Sequence, residues 1–233
     1  MLKAILFNLD GIITNLSKFH FLAWKSIFSQ HGIFFSDQEW LKLQNHSREY
    51  IIKHVLDFNN IQYDKKIIDE IDKQKNTLYQ SLILNELKPE NVNVNILNII
   101  SQAKAKDLKI CLISHSKNAN LIIERLGLSK AFDYVSIPES DREYSITSII
   151  GSSPVTETII KFLKESGFSG SECIGIENTR EGIEEYNLYN IFSVCVNNFD
   201  PNVSKKANMS YHSIVDINLD EIIFKYYTLH TND

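Results

Sequence analysis

Cysteine is scarce in this chain: Cys111, Cys173 and Cys195 are the only three among 233 residues. An odd number at scattered spacing neither closes a disulfide framework nor supplies the paired ligands of a zinc site, so buried free thiols in a reducing compartment are expected. A basic excess is also missing. Lys and Arg total 24 against 29 Asp and Glu, for a net charge of −5. That leaves no electrostatic footprint for nucleic acid or an anionic membrane surface. No apolar run approaches the ~20 residues that a bilayer span needs. The first residues read at once as a strand, so no signal peptide is expected. There is no internal repeat and no low-complexity stretch. What remains is ordinary for a globular protein, with 43% hydrophobic and 23% charged residues. The length can bury one core plus a small inserted lobe. The resulting expectation is a cytoplasmic monomer with no nucleic-acid or membrane partner.

Periodicity divides the chain into two kinds of sequence. Residues 2–8 form a short apolar run that ends at the turn residue Gly11, as a buried parallel strand does. From 15 to 88 the apolar residues recur at helical spacing, as in Phe21, Trp24, Ile27 and Phe28. That stretch predicts four or five helices and no strand. After it, helices over 91–106, 118–126, 154–166 and 180–188 alternate with strands over 109–114, 134–137, 172–177 and 192–196. A further strand is expected over 211–215, and the tail 205–233 reads as an edge strand and a closing helix. This alternation implies an α/β domain with a parallel sheet. The expected division is 1–14 plus 92–233 for the core and 15–91 for an inserted all-helical cap. The hinges are expected at 14–17 and 88–92.

Open parallel sheets bind ligands beyond the carboxyl ends of their strands. The chemistry-bearing residues at those ends are Asn8 to Asp10, Ser114 to Asn118, and Glu177 with Asn178. The first segment, Lys3-Ala-Ile-Leu-Phe-Asn8-Leu-Asp10-Gly11, resembles the opening motif of the haloacid dehalogenase (HAD) superfamily, a hydrophobic strand followed by Asp-x-Asp-Gly. Ser114-His115-Ser116-Lys117-Asn118 resembles its second motif, and Glu177-Asn178 its acidic metal-binding pair. Asp10 to Thr14, His20, Ala23-Trp24, Ser47-Arg48, Lys75-Asn76 and Gly182-Ile183 extend the likeness over nearly the whole chain, within the β-phosphoglucomutase-like subfamily. The resemblance implies a HAD-like Rossmannoid core with a parallel sheet plus the helical cap.

It also implies roles. Asp10 would be the acid/base. His20, Trp24, Arg48, Lys75, Ser114, Ser116, Lys117 and Asn118 would contact a phosphorylated sugar. Asn8, Asp10, Glu177 and Asn178 stand at the family's Mg²⁺ positions. The departures are concentrated in the reacting groups. The family's nucleophilic Asp is here Asn8, and an amide is a very poor nucleophile. The neutralising Lys falls at Ser153, the second metal carboxylate at Asn178, and a phosphate-binding Thr at Leu16. The segment from Asp133 to Ser153 is longer than the family pattern. The 22 asparagines in the chain give amides at carboxylate positions a compositional origin. Mg²⁺ prefers anionic oxygens and sheds water reluctantly. The expected function is therefore capture of a phosphorylated small molecule in a cleft of cap and core, with impaired phosphoryl transfer and no cofactor. The alternative is an active Mg²⁺-dependent phosphoglucomutase or sugar-phosphate phosphatase.

Overall fold

A computed structural model describes residues 1–44, 46–137, 154–196 and 200–230, without the side chains of 154 and 155. In chain order, β1 is Ala4–Asn8, and α1 Ser17–Gln30, α2 Asp37–Leu43, α3 Arg48–Phe58 and α4 Lys65–Glu86 follow. Next come α5 Val94–Ala105, β2 Lys109–Ile113, α6 Ala119–Arg125 and β3 Tyr134–Ser136. The remaining elements are α7 Pro154–Ser166, β4 Cys173–Glu177, α8 Arg180–Leu188, β5 Phe192–Val196, α9 Pro201–Ser204, β6 Met209–Tyr211 and α10 Leu219–His230.

Two compact units result, one of residues 1–15 with 88–233 and the other of residues 16–87. The first is the α/β core. Among the described residues its six strands are all parallel, in the order β3-β2-β1-β4-β5-β6. Every residue of β1, β4 and β5 is buried. Both faces of those strands are therefore covered, which explains their continuous apolar runs. The central position of β1 matters most for function. Its register pairs Asn8 with Ile113 and Phe7 with Ile176. The residues that follow, Ser114 and Glu177, therefore end beside Asn8 at one edge of the sheet.

The chain leaves and re-enters the core through a tied junction. Thr14 Oγ1 donates to Asn91 O at 2.9 Å, and Asn93 N donates to Ile13 O at 2.9 Å. Buried thiols are found at all three cysteines.

The second unit contains four helices around its own apolar cluster. Phe19, Ala23, Trp24, Ile27 and Phe28 form the buried stripe of α1, paired at i+3 and i+4 as one helix face requires. Ser36, Ser47 and Asp64 cap α2, α3 and α4 by accepting backbone hydrogens from Glu39, Tyr50 and Ile67. Trp24 stacks on Phe28 with ring centroids 5.3 Å apart.

Two local expectations are corrected. The sixth strand is Met209–Tyr211, and Ile214–Asp216 is a turn of 3-10 helix. Ser213 accepts from Val215 N at 3.3 Å, and this local capping bond outcompetes strand pairing. The helix expected from residue 91 begins at Val94, because Asn93 caps it by accepting from Asn95 N. No helix among the described residues is long and apolar enough to cross a membrane.

Candidate functional site

The turn after β1 begins the site. Gly11 has φ = 88°, a region costly for any residue with a Cβ. A Cβ there would also overlap the Asn178 amide. Gly11 N donates to Thr14 O at 2.8 Å and Thr14 N to Leu9 O at 3.2 Å, closing the loop. This holds Asn8, only 4% exposed, against the end of β4.

Three side chains meet there. Asn8 Nδ2 donates to Glu177 Oε1 at 2.9 Å and to Asp10 O at 3.0 Å. The inward atom of the Asn178 amide lies 3.0 Å from Glu177 Oε1 and 3.1 Å from Asp10 O. Those two neighbours are acceptors and outnumber the one donor near it, Asn8 Nδ2 at 3.1 Å, so that atom is assigned as the nitrogen. Glu177 Oε1 also accepts from the backbone nitrogens of Asn178, at 2.7 Å, and Thr179, at 2.9 Å. Thr179 caps α8 by accepting from Gly182 N at 3.1 Å, and a Cβ on Gly182 would overlap the Glu177 carboxylate. Burial pushes the Glu177 carboxyl up to about 7, and its backbone and side-chain donors hold it from rising further.

This donor set does not fit a divalent cation. Mg²⁺ takes oxygen lone pairs, whereas Asn8 and Asn178 turn N–H groups toward the carboxylate oxygen. Glu177 is the one carboxylate in that hydrogen-bonded group. Asp10 joins it through its backbone oxygen.

The loop after β2 lies at the same sheet edge. Ser114 is buried, and its hydroxyl accepts from Ser116 N at 3.2 Å. Ser116 Oγ in turn accepts from Asn118 N at 3.2 Å. These two small turns bring the chain into α6, with Asn118 buried and Lys117 exposed. Ser153 lies outside the described residues, as does most of the Asp133 to Ser153 segment.

The helical unit gathers the other candidates. Lys75 is 1% exposed although it is charged. Its Nζ lies 2.8 Å from His20 Nδ1, 4.6 Å from the Tyr79 ring centroid and 5.0 Å from that of Trp24. An ammonium can only donate, so Nδ1 is the acceptor and His20 carries its proton on Nε2. His20 stacks on Tyr79 with centroids 4.3 Å apart. Burial first, then the charges of Lys75 and Arg48, hold His20 well below its ordinary pKa. Arg48 opens α3 and faces Asp72, with Nη1 to Oδ1 at 3.6 Å. Lys75 is thus a buried cation among aromatic rings, whose faces favour it.

Sequence reasoning missed Tyr79 and Asp72. Tyr79 lies one helical turn from Lys75 on α4, so i,i+4 spacing could have suggested it. Asp72 carries no such signal, because its partner is on another helix. A concavity lined by Lys106, Asp216, Asn218 and Asp220, among others, contains none of the candidate residues.

Comparison with known proteins places these observations. The family model described as haloacid dehalogenase-like hydrolase matches residues 5–196. A β-phosphoglucomutase from Bacillus subtilis (strain 168) is 31% identical over 202 residues, covering 86% of this chain and 85% of that protein. A crystal structure of β-phosphoglucomutase from Clostridium difficile superposes with a TM-score of 0.81 at 29% identity, covering 99% of this chain and all of the other. An Asp-to-Asn variant of CbbY from Rhodobacter sphaeroides, crystallised with xylulose 1,5-bisphosphate, has a TM-score of 0.73 at 15% identity. It covers 94% of this chain and 97% of its own, and at that identity it supports the fold alone.

Proposed function

Because the chain belongs to the haloacid dehalogenase-like hydrolases, and within them to the β-phosphoglucomutase-like branch, we propose that it binds a phosphorylated sugar or similar small anion without transferring the phosphoryl group. The observation that carries this reading is the orientation of Asn8. Its amide nitrogen is committed to Glu177 and to the Asp10 carbonyl. An amide so held is a donor and not a nucleophile. Loss of a covalent nucleophile costs on the order of 10⁴–10⁶ in rate, and the further losses do not multiply because the groups act as one unit.

Binding need not be lost with the chemistry. Ser114, Ser116, Asn118 and Lys117 supply neutral and charged donors at the strand end, and Arg48 and Lys75 supply positive charge. Arg can engage two phosphate oxygens at once. Amides in place of carboxylates remove repulsion toward an anion. Relatives of this branch carry the names of sugar-phosphate enzymes, which supports a phosphosugar as the ligand class. The same likeness favours the alternative, an active Mg²⁺-dependent mutase or phosphatase, and the experiment must separate the two.

Calorimetric titration with glucose 6-phosphate in EDTA does so. Binding should persist in EDTA and weaken by about 1.5–3 kcal/mol in Arg48→Ala, the range for a hydrogen bond to a charged group. Lys117→Ala should weaken it as well. No heat at millimolar ligand, or an Arg48→Ala titration identical to wild type, removes the binding reading.

A further inference from the structure

The arrangement around Glu177 goes beyond the absence of a nucleophile. We propose that the amide hydrogens of Asn8 and Asn178 occupy the position of the family's divalent cation and keep Mg²⁺ out. This inference rests on the family membership but not on which anion the site binds.

Four nitrogens converge on Glu177 Oε1. They are Asn178 N at 2.7 Å, Thr179 N at 2.9 Å, Asn8 Nδ2 at 2.9 Å and Asn178 Nδ2 at 3.0 Å. A carboxylate oxygen has two lone pairs, so this set saturates it. The second acceptor of the group, Asp10 O, is approached by the same two amides, at 3.0 and 3.1 Å. A cation held by these groups would compete with the amide hydrogens for the same two oxygens. To admit it, each amide would have to turn its oxygen inward and give up its bonds to Glu177 and Asp10.

Rotation is opposed by the surroundings. Asn8 is 4% exposed, and the Asn178 amide fills the space that a Cβ on Gly11 would take. With one carboxylate in place of several, the attraction available to Mg²⁺ is also smaller, and this ion gives up its water reluctantly. The two substitutions are therefore one device. Either alone would leave a new carboxylate facing Glu177 without a cation, whereas together they satisfy the same two acceptors with fixed hydrogens.

The test is a stability measurement that needs no activity. Thermal unfolding of the wild-type chain should move by less than about 1 °C between EDTA and ~10 mM Mg²⁺, because a ligand that does not bind the native state cannot stabilise it. The double variant Asn8→Asp, Asn178→Asp should melt lower than wild type in EDTA, since three carboxylates then face one another. It should recover by about 5 °C or more as Mg²⁺ rises. If it folds only in Mg²⁺ and unfolds on chelation, the inference is equally supported. A direct arm titrates Mn²⁺ into the wild-type protein and follows the free-ion electron paramagnetic resonance signal, which should stay undiminished.

A saturable rise in wild-type melting temperature with Mg²⁺, or loss of the free Mn²⁺ signal, overturns the proposal. So does a double variant as indifferent to Mg²⁺ as wild type. Failure of glucose 6-phosphate to bind would instead sink the ligand reading and leave cation exclusion standing.

Discussion

Replacing Glu177 by Gln should make the chain relatively more stable at pH 8 than at pH 5. Glu177 is 3% exposed, and burial raises its carboxyl from the ordinary 4.5 to about 7. At pH between those values the folded state holds a proton that the unfolded state has released. Stability is therefore fully present below about 4.5 and is lost as pH rises through about 7. Each pKa unit corresponds to 1.36 kcal/mol, so the loss at alkaline pH approaches about 3 kcal/mol. That is a large part of a typical folding free energy of ~5–15 kcal/mol. Glutamine retains the Oε1 acceptor for the Asn178, Thr179 and Asn8 nitrogens but does not ionise. Its steric and hydrogen-bonding cost is the same at both pH values. Urea unfolding of both proteins in EDTA at pH 5 and pH 8 measures the difference. The expected change in relative stability is about 2–3 kcal/mol in favour of the variant at pH 8. A difference between the two proteins that is constant over this range would refute the argument.

Three further outcomes follow from other parts of the molecule. Tyr186 is fully buried, and its hydroxyl finds no hydrogen-bond partner among the described residues. Tyr186→Phe should therefore be neutral or stabilising by up to ~1 kcal/mol in denaturant unfolding, since an unsatisfied donor is removed. Gly175→Ala places a methyl into the Tyr186 ring, and an overpacking cost of about 1–3 kcal/mol should appear in the same assay. His20 is held neutral by burial and by Lys75, so stability of the helical unit should fall as pH drops below the ordinary histidine value. His20→Asn keeps an acceptor for Lys75 and should blunt that acid sensitivity, read by circular dichroism between pH 7 and pH 5.

Much of this was legible in the residues, for physical reasons. A strand buried on both faces must be a continuous apolar run, so β1, β4 and β5 stand out in the sequence. The alternation of strands with helices implied the parallel sheet, and the family motifs sit at its carboxyl edge. Other features depend on partners distant in sequence. That Asn8 and Asn178 aim their nitrogens at one carboxylate oxygen follows from the register of β1 with β4, which no local pattern encodes. The burial of Lys75 was not legible because its aromatic surroundings come from α1 as well as from its own helix. Short elements such as α9 and the 3-10 turn at Ile214–Asp216 carry too few residues for a period to register.

The central claim is capture without transfer, and phosphorus NMR of β-glucose 1-phosphate tests both halves in one sample. With the protein and Mg²⁺ present, the ligand resonance should shift or broaden with protein concentration. No glucose 6-phosphate or inorganic phosphate signal should grow over hours. An enzyme of ordinary turnover, ~1–10³ per second, would convert the sample within minutes. Product resonances appearing at such a rate, or a ligand line unaffected by the protein, would contradict the account.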